Sequence, residues 1–217
     1  QRTLRQWTKD DPEAQAVLPI ADLSPTMAAV EKLTALSKKA ADAHDDKKSE
    51  EYRARADVLL SGFAERAQDD PQLALTLGTA YLQAGDAAKA EVLLHRAVEM
   101  SSSDIEAKLQ HGKALAMLGR TDEAVGELKG ALSLDPTRND ITLLLARTYE
   151  EAGHTDDAGA EYDKLLSIKD APLIARVYAG KFLARHGDVK KAAALSGPIL
   201  MEEPENSAGH YFKGEGL

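Results

Sequence analysis

The sequence contains no cysteine and few aromatic residues, which make up only 5% of its 217 positions. The absence of cysteine excludes a disulfide framework, a catalytic thiol and a cysteine-ligated zinc site. The chain also lacks any apolar run near the ~20 residues that a membrane-spanning helix needs, so no direct membrane insertion is expected. Alanine is abundant, and small side chains favour closely packed helices over a sheet, which prefers β-branched and aromatic residues.

The sequence has no strongly basic stretch, and its formal net charge is −9 at pH 7. This charge argues against a nucleic-acid partner, because such binding depends mainly on neutralising phosphates. No signal peptide is visible, and Gln1 stands where a starting Met would be, so we expect a piece of a longer protein. The compartment stays open between the cytoplasm and the aqueous face of the cell envelope.

A period of 34 residues runs through most of the chain. It is marked by four glycines, Gly85, Gly119, Gly153 and Gly187, each 34 residues from the next. An alanine stands five residues after each of them, at Ala90, Ala124, Ala158 and Ala192. A second small residue precedes each by seven positions, at Gly78, Gly112, Ala146 and Gly180. Glycine can end a helix in the left-handed conformation, and small residues let two helices approach, so the pattern predicts repeated helix pairs.

The residues around these positions form a recognisable motif. The first unit reads Leu77-Gly78-x2-Tyr81 and then Ala90-x3-Leu94, while Pro136 and Pro204 close the second and fourth units. This pattern resembles the signature of the tetratricopeptide repeat family over residues 71–217. No unit has the Trp that often opens the motif, and the first and third units lack the closing Pro. The resemblance implies an all-α fold, a right-handed α-solenoid of 34-residue helix-turn-helix repeats.

The phase of the repeat divides the chain. We expect a linker over residues 1–23 and a divergent N-terminal helical hairpin, acting as a capping repeat, over 24–70. This hairpin would begin with Ser24 as N-cap and Pro25 as first helical residue, and turn at Asp45-Asp46. Four repeats are expected at 71–104, 105–138, 139–172 and 173–206. Their helix pairs are predicted at 72–84/88–101, 105–118/122–134, 140–152/156–168 and 173–186/190–203.

Two features concern the C-terminal part. Pro198 lies inside the last predicted helix and should kink it, because proline lacks the backbone donor. Residues 207–217 fit the start of a truncated fifth repeat, since Gly214 keeps the phase of the earlier small residues. Tyr211, Phe212 and Leu217 are therefore expected to lack their normal cover, and this apolar end could support a homo-oligomer.

Catalytic motifs are absent. The sequence contains no phosphate loop, no GxGxxG and no HExxH. His154 with Asp156 and Asp157 comes nearest to a metal site, but these residues lie at a predicted turn, where polar side chains are expected in any case. We therefore predict no catalytic residue, no metal and no cofactor.

The family resemblance implies a concave groove lined by the first helix of each unit, whose fifth and ninth residues commonly face the ligand. The fifth positions form an apolar stripe: Leu75, Leu109, Leu143, Val177 and Tyr211. The ninth positions are Thr79, Lys113, Arg147 and Lys181, and three consecutive cations stand out in an acidic chain. One interpretation is a ladder that binds an acidic or carboxylate-bearing segment. The other is unrelated, solvated side chains.

The function implied by the resemblance is a protein-protein interaction scaffold that binds a peptide or protein segment in this groove. Two alternatives stay open on the sequence. The chain could stack into a self-assembled structural oligomer, or it could be the recruiting arm of an enzyme encoded outside these residues.

Overall fold

The computed structural model describes residues 23–215, and within that range it contains helices and no strand. The helices are α1 (Leu23–Asp42), α2 (Asp46–Ser61), α3 (Pro71–Gln83), α4 (Ala87–Met100), α5 (Ile105–Met117), α6 (Thr121–Leu134), α7 (Asn139–Glu151), α8 (Thr155–Leu166), α9 (Leu173–Arg185), α10 (Val189–Ala194), α11 (Ser196–Glu202) and α12 (Ser207–Glu215). A short 3₁₀ turn at Arg66–Gln68 precedes α3. The predicted all-α fold is confirmed. Residues 1–22 of the predicted linker and Leu217 lie outside the described residues, whereas Leu23, also assigned to the linker, is helical.

The four phased glycines end helices as the sequence predicts. Their φ angles are 83°, 72°, 79° and 86° for Gly85, Gly119, Gly153 and Gly187. At the first of these turns, the backbone N–H of Asp86 donates to the carbonyl of Tyr81 at 2.9 Å, which closes the helix end. A side chain at positive φ is strained, so glycine suits these positions for its backbone alone.

Aspartates begin many of the helices. A side-chain carboxylate at the N-cap accepts a hydrogen bond from a backbone N–H of the first turn, which would otherwise lack a partner. The N-cap aspartates are Asp45, Asp70, Asp86, Asp104 and Asp188. Between these caps and the turn glycines, each helix predicted within residues 72–186 begins and ends within two residues of its expected position.

Pro198 interrupts the last predicted helix, as expected. The segment divides at Leu195 into α10 and α11. In a continuous helix the residue at position 198 would donate to the carbonyl of Ala194, and proline has no N–H for that bond. The break therefore falls one turn before the proline.

The chain forms two compact units that divide between Gly119 and Arg120. In the first, which holds α1 to α5, α1 packs on α2, α3 on α4 and α4 on α5. Its largest fully buried side chains are Leu33, Leu60, Leu77, Leu94 and Leu115. A polar contact also joins the first hairpin, where the buried hydroxyls of Ser37 and Ser49 lie 2.9 Å apart.

The second unit holds α6 to α12. Here α6 packs on α7, α7 on α8 and α8 on α9, while α12 packs against α9, α10 and α11. Its largest fully buried side chains are Leu128, Ile141, Leu145, Tyr162, Leu165, Ile199 and Phe212. Each unit thus buries its own set of leucines and larger residues.

Small residues bring α3 and α4 together. A Cβ placed on Gly78 would lie 2.5 Å from Cγ of Leu94 and 3.3 Å from the carbonyl oxygen of Ala90. Real Cβ atoms do not approach that closely, so this crossing requires glycine. The sequence prediction that Gly78 and Ala90 mark a close helix contact is confirmed.

The N-terminal hairpin corrects two predicted details. Ser24 is the second residue of α1 and therefore does not cap it. The turn lies at residues 43–45, slightly before the predicted Asp45-Asp46, because His44 takes the left-handed conformation with φ of 57°. Asp45 then caps α2, and its N–H donates to the carbonyl of Ala40 at 2.9 Å. A non-glycine residue in this conformation gives no clear sequence signal.

The prediction of an uncovered C-terminal end is wrong for Phe212. Its side chain is 0% exposed and joins a buried cluster with Ala192, Ile199 and Ala208. The ring fills the space left by Gly180, where a Cβ would collide with it. Tyr211, in contrast, is 55% exposed. The helix thus buries one aromatic ring in a recess made by small residues and leaves its neighbour at the surface.

Candidate functional site

The predicted groove residues of the first unit lie on α3 and α5. Leu75 is half-buried and packs against the core, while Leu109 is only 3% exposed. The hydroxyl of Thr79 donates to the carbonyl of Leu75 at 2.8 Å, so it is already engaged with its own helix. Lys113 is half-buried. The apolar stripe of this unit is therefore partly core.

A cleft of about 500 Å³ opens beside these residues in the first unit. Leu75 and Thr79 form one wall of it, and Met27 and Val30 of α1 form another. The N-terminal hairpin thus contributes to the same surface as α3.

The corresponding residues of the second unit lie on α7 and α9. Leu143 and Val177 are half-buried, and Val177 packs against the cluster that holds Phe212. Arg147 is half-buried, whereas Lys181 is exposed. Two apolar and two cationic positions of the prediction are therefore at least partly accessible in this unit.

Tyr178 brings the two cations of this unit together. The guanidinium carbon of Arg147 lies 4.8 Å from the centroid of the Tyr178 ring, and Nζ of Lys181 lies 5.8 Å from it. Both distances fall within the ~6 Å range of a cation–π contact. Tyr178 was missed from the sequence, because it stands at the sixth position of its unit, outside the fifth and ninth positions, yet it contacts the ninth residue of its own unit and that of the unit before.

Neighbouring carboxylates neutralise part of this positive charge. Arg147 has a long contact of 3.5 Å with Glu151, whose side chain is 66% exposed. Arg185 pairs with Glu150, which also accepts a hydrogen bond from the buried hydroxyl of Tyr162 at 2.8 Å. Within residues 23–215, Lys181 forms no salt bridge, so its charge is the most available of the set.

A second cleft, of about 420 Å³, lies between α9 and α12. Lys181 and Arg185 line one side, and the exposed ring of Tyr211 lies on the other. The surface around Tyr178 therefore continues toward the fifth-position residue of the last helix. It combines aromatic rings with cations inside a chain that is acidic as a whole.

Two buried tyrosines are tied to carboxylates away from this surface. Burial, and then the hydrogen bond to Glu150, raises the pKa of Tyr162 well above its usual range. Burial and the neighbouring Asp57 raise the pKa of Tyr81 in the same way. Both hydroxyls keep their protons at neutral pH and connect one helix to another, which is a structural role.

The residues that come nearest to a metal site in the sequence lie at the start of α8. His154 precedes α8, and Asp156 and Asp157 stand in its first turn. Within residues 23–215, no three histidine, aspartate or glutamate side chains are grouped so as to hold a metal ion. In the same range, no helix has both the length and the apolar character that crossing a bilayer requires.

The family is identified by two overlapping sequence matches. Profiles described as "Tetratricopeptide repeat" match residues 75–139 and residues 115–181. Residues 75–181 belong to the tetratricopeptide repeat family. Its helical-repeat, α-solenoid fold class follows from the same matches and from the helices themselves.

Solved tetratricopeptide repeat proteins share the fold at low sequence identity. A thermophilic member from Thermus thermophilus is 17% identical, with 86% of this chain and 98% of that chain covered and a TM-score of 0.58. MamA is 23% identical, with 74% and 94% covered and a TM-score of 0.61. YrrB, described as having an unusual peptide-binding site, is 13% identical, with 98% of each chain covered and a TM-score of 0.57. No curated protein matches the sequence at a significant level.

The general role follows from the family. A tetratricopeptide repeat chain serves as a protein-interaction scaffold, and proteins of this kind bind protein or peptide partners. Families of this fold are generally non-catalytic.

Proposed function

We propose that this scaffold binds an extended, acidic or carboxylate-bearing segment of a partner protein along the first helices of its repeats. The surface of α7 and α9 would be the main anchor, with Arg147 and Lys181 above an apolar floor of Leu143 and Val177. The single observation that carries the proposal is the convergence of both cations on the ring of Tyr178.

This convergence favours anion binding for two reasons. Stacking on the ring restricts the long side chains of Arg147 and Lys181, so less conformational entropy remains to be lost when a carboxylate binds. The contact between Arg147 and Glu151 is long and exposed, so an incoming carboxylate can replace it at little cost.

Charge alone would not give useful affinity. Each exposed ion pair contributes only about 0.2–1 kcal/mol. Apolar burial, at about 25 cal/mol per Å², would supply most of the binding free energy. The cations would then set the orientation of the segment and the choice of partner.

The first unit would offer a second surface of the same kind, formed by Leu75, Leu109, Thr79 and Lys113. In this proposal residues 71–206 are four repeats, and residues 24–70 cap them. Ala56, Leu60 and Phe63 are buried, which supports a hairpin built to cover the first repeat.

The experiment uses a fluorescein-labelled hexapeptide that alternates Leu and Glu, with an alternating Leu and Lys peptide for comparison. Fluorescence anisotropy should detect binding of the acidic peptide, which should weaken as salt rises because ions screen exposed charges. The variant Lys113→Glu/Arg147→Glu/Lys181→Glu should raise its Kd at least about tenfold, or ~1.4 kcal/mol.

A matched control has the same change in net charge. Lys47, Lys169 and Lys190 are exposed and line neither of the two clefts, so their triple change to Glu should leave binding nearly intact. Equal weakening by both triple variants would mean that only the overall charge matters. If neither variant alters binding or its salt dependence, the cations are solvated surface and the proposal is wrong.

A further inference from the structure

The cleft of the first unit has a distinctive chemical character. Its floor is apolar, from Met27, Val30 and Leu75, and two carboxylates, Glu31 and Glu106, stand among its lining residues. No lysine or arginine of the described chain lines it. An occupant of this cleft should therefore present apolar side chains together with positive charges.

The N-terminal residues of the chain have that composition. Residues 1–9 contain Arg2, Arg5 and Lys9 and no carboxylate, although the chain as a whole has a net charge of −9. Leu4 and Trp7 stand between these cations, and Trp7 is the one tryptophan of the sequence. The segment thus alternates positive and large apolar side chains.

The connection to α1 places this segment within reach. The described part of α1 begins at Leu23, and Ser24 of that helix lines the cleft. Lys9 and Leu23 are fourteen positions apart, and in extended form that length of chain spans up to about 45 Å at ~3.3 Å per residue. Packed neighbouring helices are only about 8–10 Å apart, so the segment can turn back and lie across α1 and α3.

We propose that residues 2–9 dock intramolecularly in the cleft between α1 and α3. Trp7 and Leu4 cover the apolar floor, and the three cations lie against Glu31 and Glu106. This inference goes beyond the proposed binding of a partner and does not depend on it. Because Leu75 and Thr79 line the same cleft, the docked segment covers these two proposed partner-binding residues of the first unit.

The single tryptophan gives a direct measurement. Docking places Trp7 in an apolar site, so its emission should shift to the blue. Its acrylamide quenching constant should be at least about threefold lower than that of a synthetic peptide of residues 1–22. Emission and quenching equal to those of the peptide would overturn the proposal. No partner is present in this assay, so its result is separate from that of the peptide-binding experiment.

Charge variants test which surface is used. Glu31→Lys/Glu106→Lys should return the quenching of Trp7 toward the value of the peptide. Glu50→Lys/Glu65→Lys makes the same charge change at exposed positions of the same unit, and it should leave the quenching of Trp7 unchanged. Combining the cleft variant with Arg2→Glu/Arg5→Glu/Lys9→Glu should again protect Trp7 from acrylamide, because the charges of the segment and of the cleft are then opposite once more. Equal effects of the two lysine variants, or no restoration, would contradict docking in this cleft.

Crosslinking provides a second test that keeps both cleft carboxylates. Because the chain has no cysteine, Thr8→Cys with Gln83→Cys introduces one pair, and Gln83 is exposed at the cleft. Mild oxidation should join this pair much faster than Thr8→Cys with Ser61→Cys, which is exposed and outside the cleft. Equal rates for the two pairs would overturn the proposal. So would a crosslinking rate that rises with protein concentration, since the segment would then occupy a second copy.

Discussion

Gly78 sets how closely α3 and α4 can pack. A methyl group at this position would lie 2.5 Å and 2.8 Å from Cγ and Cδ2 of Leu94. Leu94 is fully buried and has little room to move aside. Gly126, in contrast, stands inside α6 with nothing within 4 Å of its added Cβ. The two glycines therefore have opposite reasons to be present in a helix.

The substitution Gly78→Ala should destabilise the protein by about 1–3 kcal/mol through overpacking. Gly126→Ala should stabilise it by about 0.5–1 kcal/mol, because alanine has the higher helix propensity and nothing obstructs it. Urea unfolding followed by circular dichroism measures both. A Gly78→Ala variant as stable as the unaltered protein would mean that Gly78 is not a packing position.

The candidate site shows the limit of prediction at this scale. The residues of the stripe and of the cation ladder follow from a fixed frame, so counting along the chain locates Arg147 and Lys181. Counting along the chain does not locate Tyr178, because its contact with Arg147 depends on how α7 lies beside α9. The burial of Phe212 likewise depends on a recess next to Gly180, and a neighbour distant in sequence leaves no local signal.

At the scale of helices, Tyr162 joins α8 to α7. Its ring is buried, its hydroxyl donates to Glu150 of α7, and Glu150 also pairs with Arg185 of α9. Three consecutive helices of the second unit therefore meet at one carboxylate. The hydroxyl keeps its proton in the folded state, because the pKa of Tyr162 is raised by burial first and by Glu150 second.

This shift predicts a loss of stability at alkaline pH. The folded pKa lies above the usual value of 10.0, so the contribution is fully present below pH 10 and falls as the unfolded chain begins to ionise. Tyr162→Phe should cost about 1.5–3 kcal/mol at pH 7, the typical worth of a hydrogen bond to a charged group. The substitution should also make the additional loss of folding stability above pH 10 smaller than in the unaltered protein.

Urea unfolding between pH 7 and pH 11 measures this effect. Tyr211→Phe is the matched control, because Tyr211 is exposed, and it should change stability little at any of these pH values. If Tyr162→Phe loses as much stability above pH 10 as the unaltered protein, Tyr162 is not the source of the alkaline loss.

The sequence predicts helix positions well for a physical reason. Helix ends depend on local chemistry, and a turn glycine or an N-cap aspartate provides it within a few residues. The hairpin turn at His44 is the exception, because histidine takes the left-handed conformation far less often than glycine and so does not mark a turn by itself. The division of one predicted helix by Pro198 follows again from local chemistry.

At the scale of the molecule, the chain consists of two compact units. In a repeat protein each unit contacts mainly its neighbours, so a local strain should have a local effect. Gly78 in the first unit and Gly180 in the second are equivalent in the repeat, and an added Cβ at either would collide with a buried side chain. They therefore form a matched pair for testing how far strain spreads.

Hydrogen exchange should separate the two variants. Gly78→Ala should raise amide exchange mainly in α3 and α4, and Gly180→Ala mainly in α9 and α12. Exchange that rises uniformly across both units in either variant would show that the whole chain opens as one cooperative body.

The four turn glycines have a further consequence, which concerns handedness. Their φ angles of 72° to 86° belong to the mirror image of the common helical region, and nothing lies within 4 Å of where a Cβ would be added. An L-alanine at Gly85 would be strained by about 1–2 kcal/mol, whereas a D-alanine would prefer this conformation. In a chain assembled by chemical ligation, the D-residue should raise the melting temperature and the L-residue should lower it. At these four positions, the backbone has the geometry that a D-amino acid prefers, and glycine is the genetically encoded residue that adopts it at least cost.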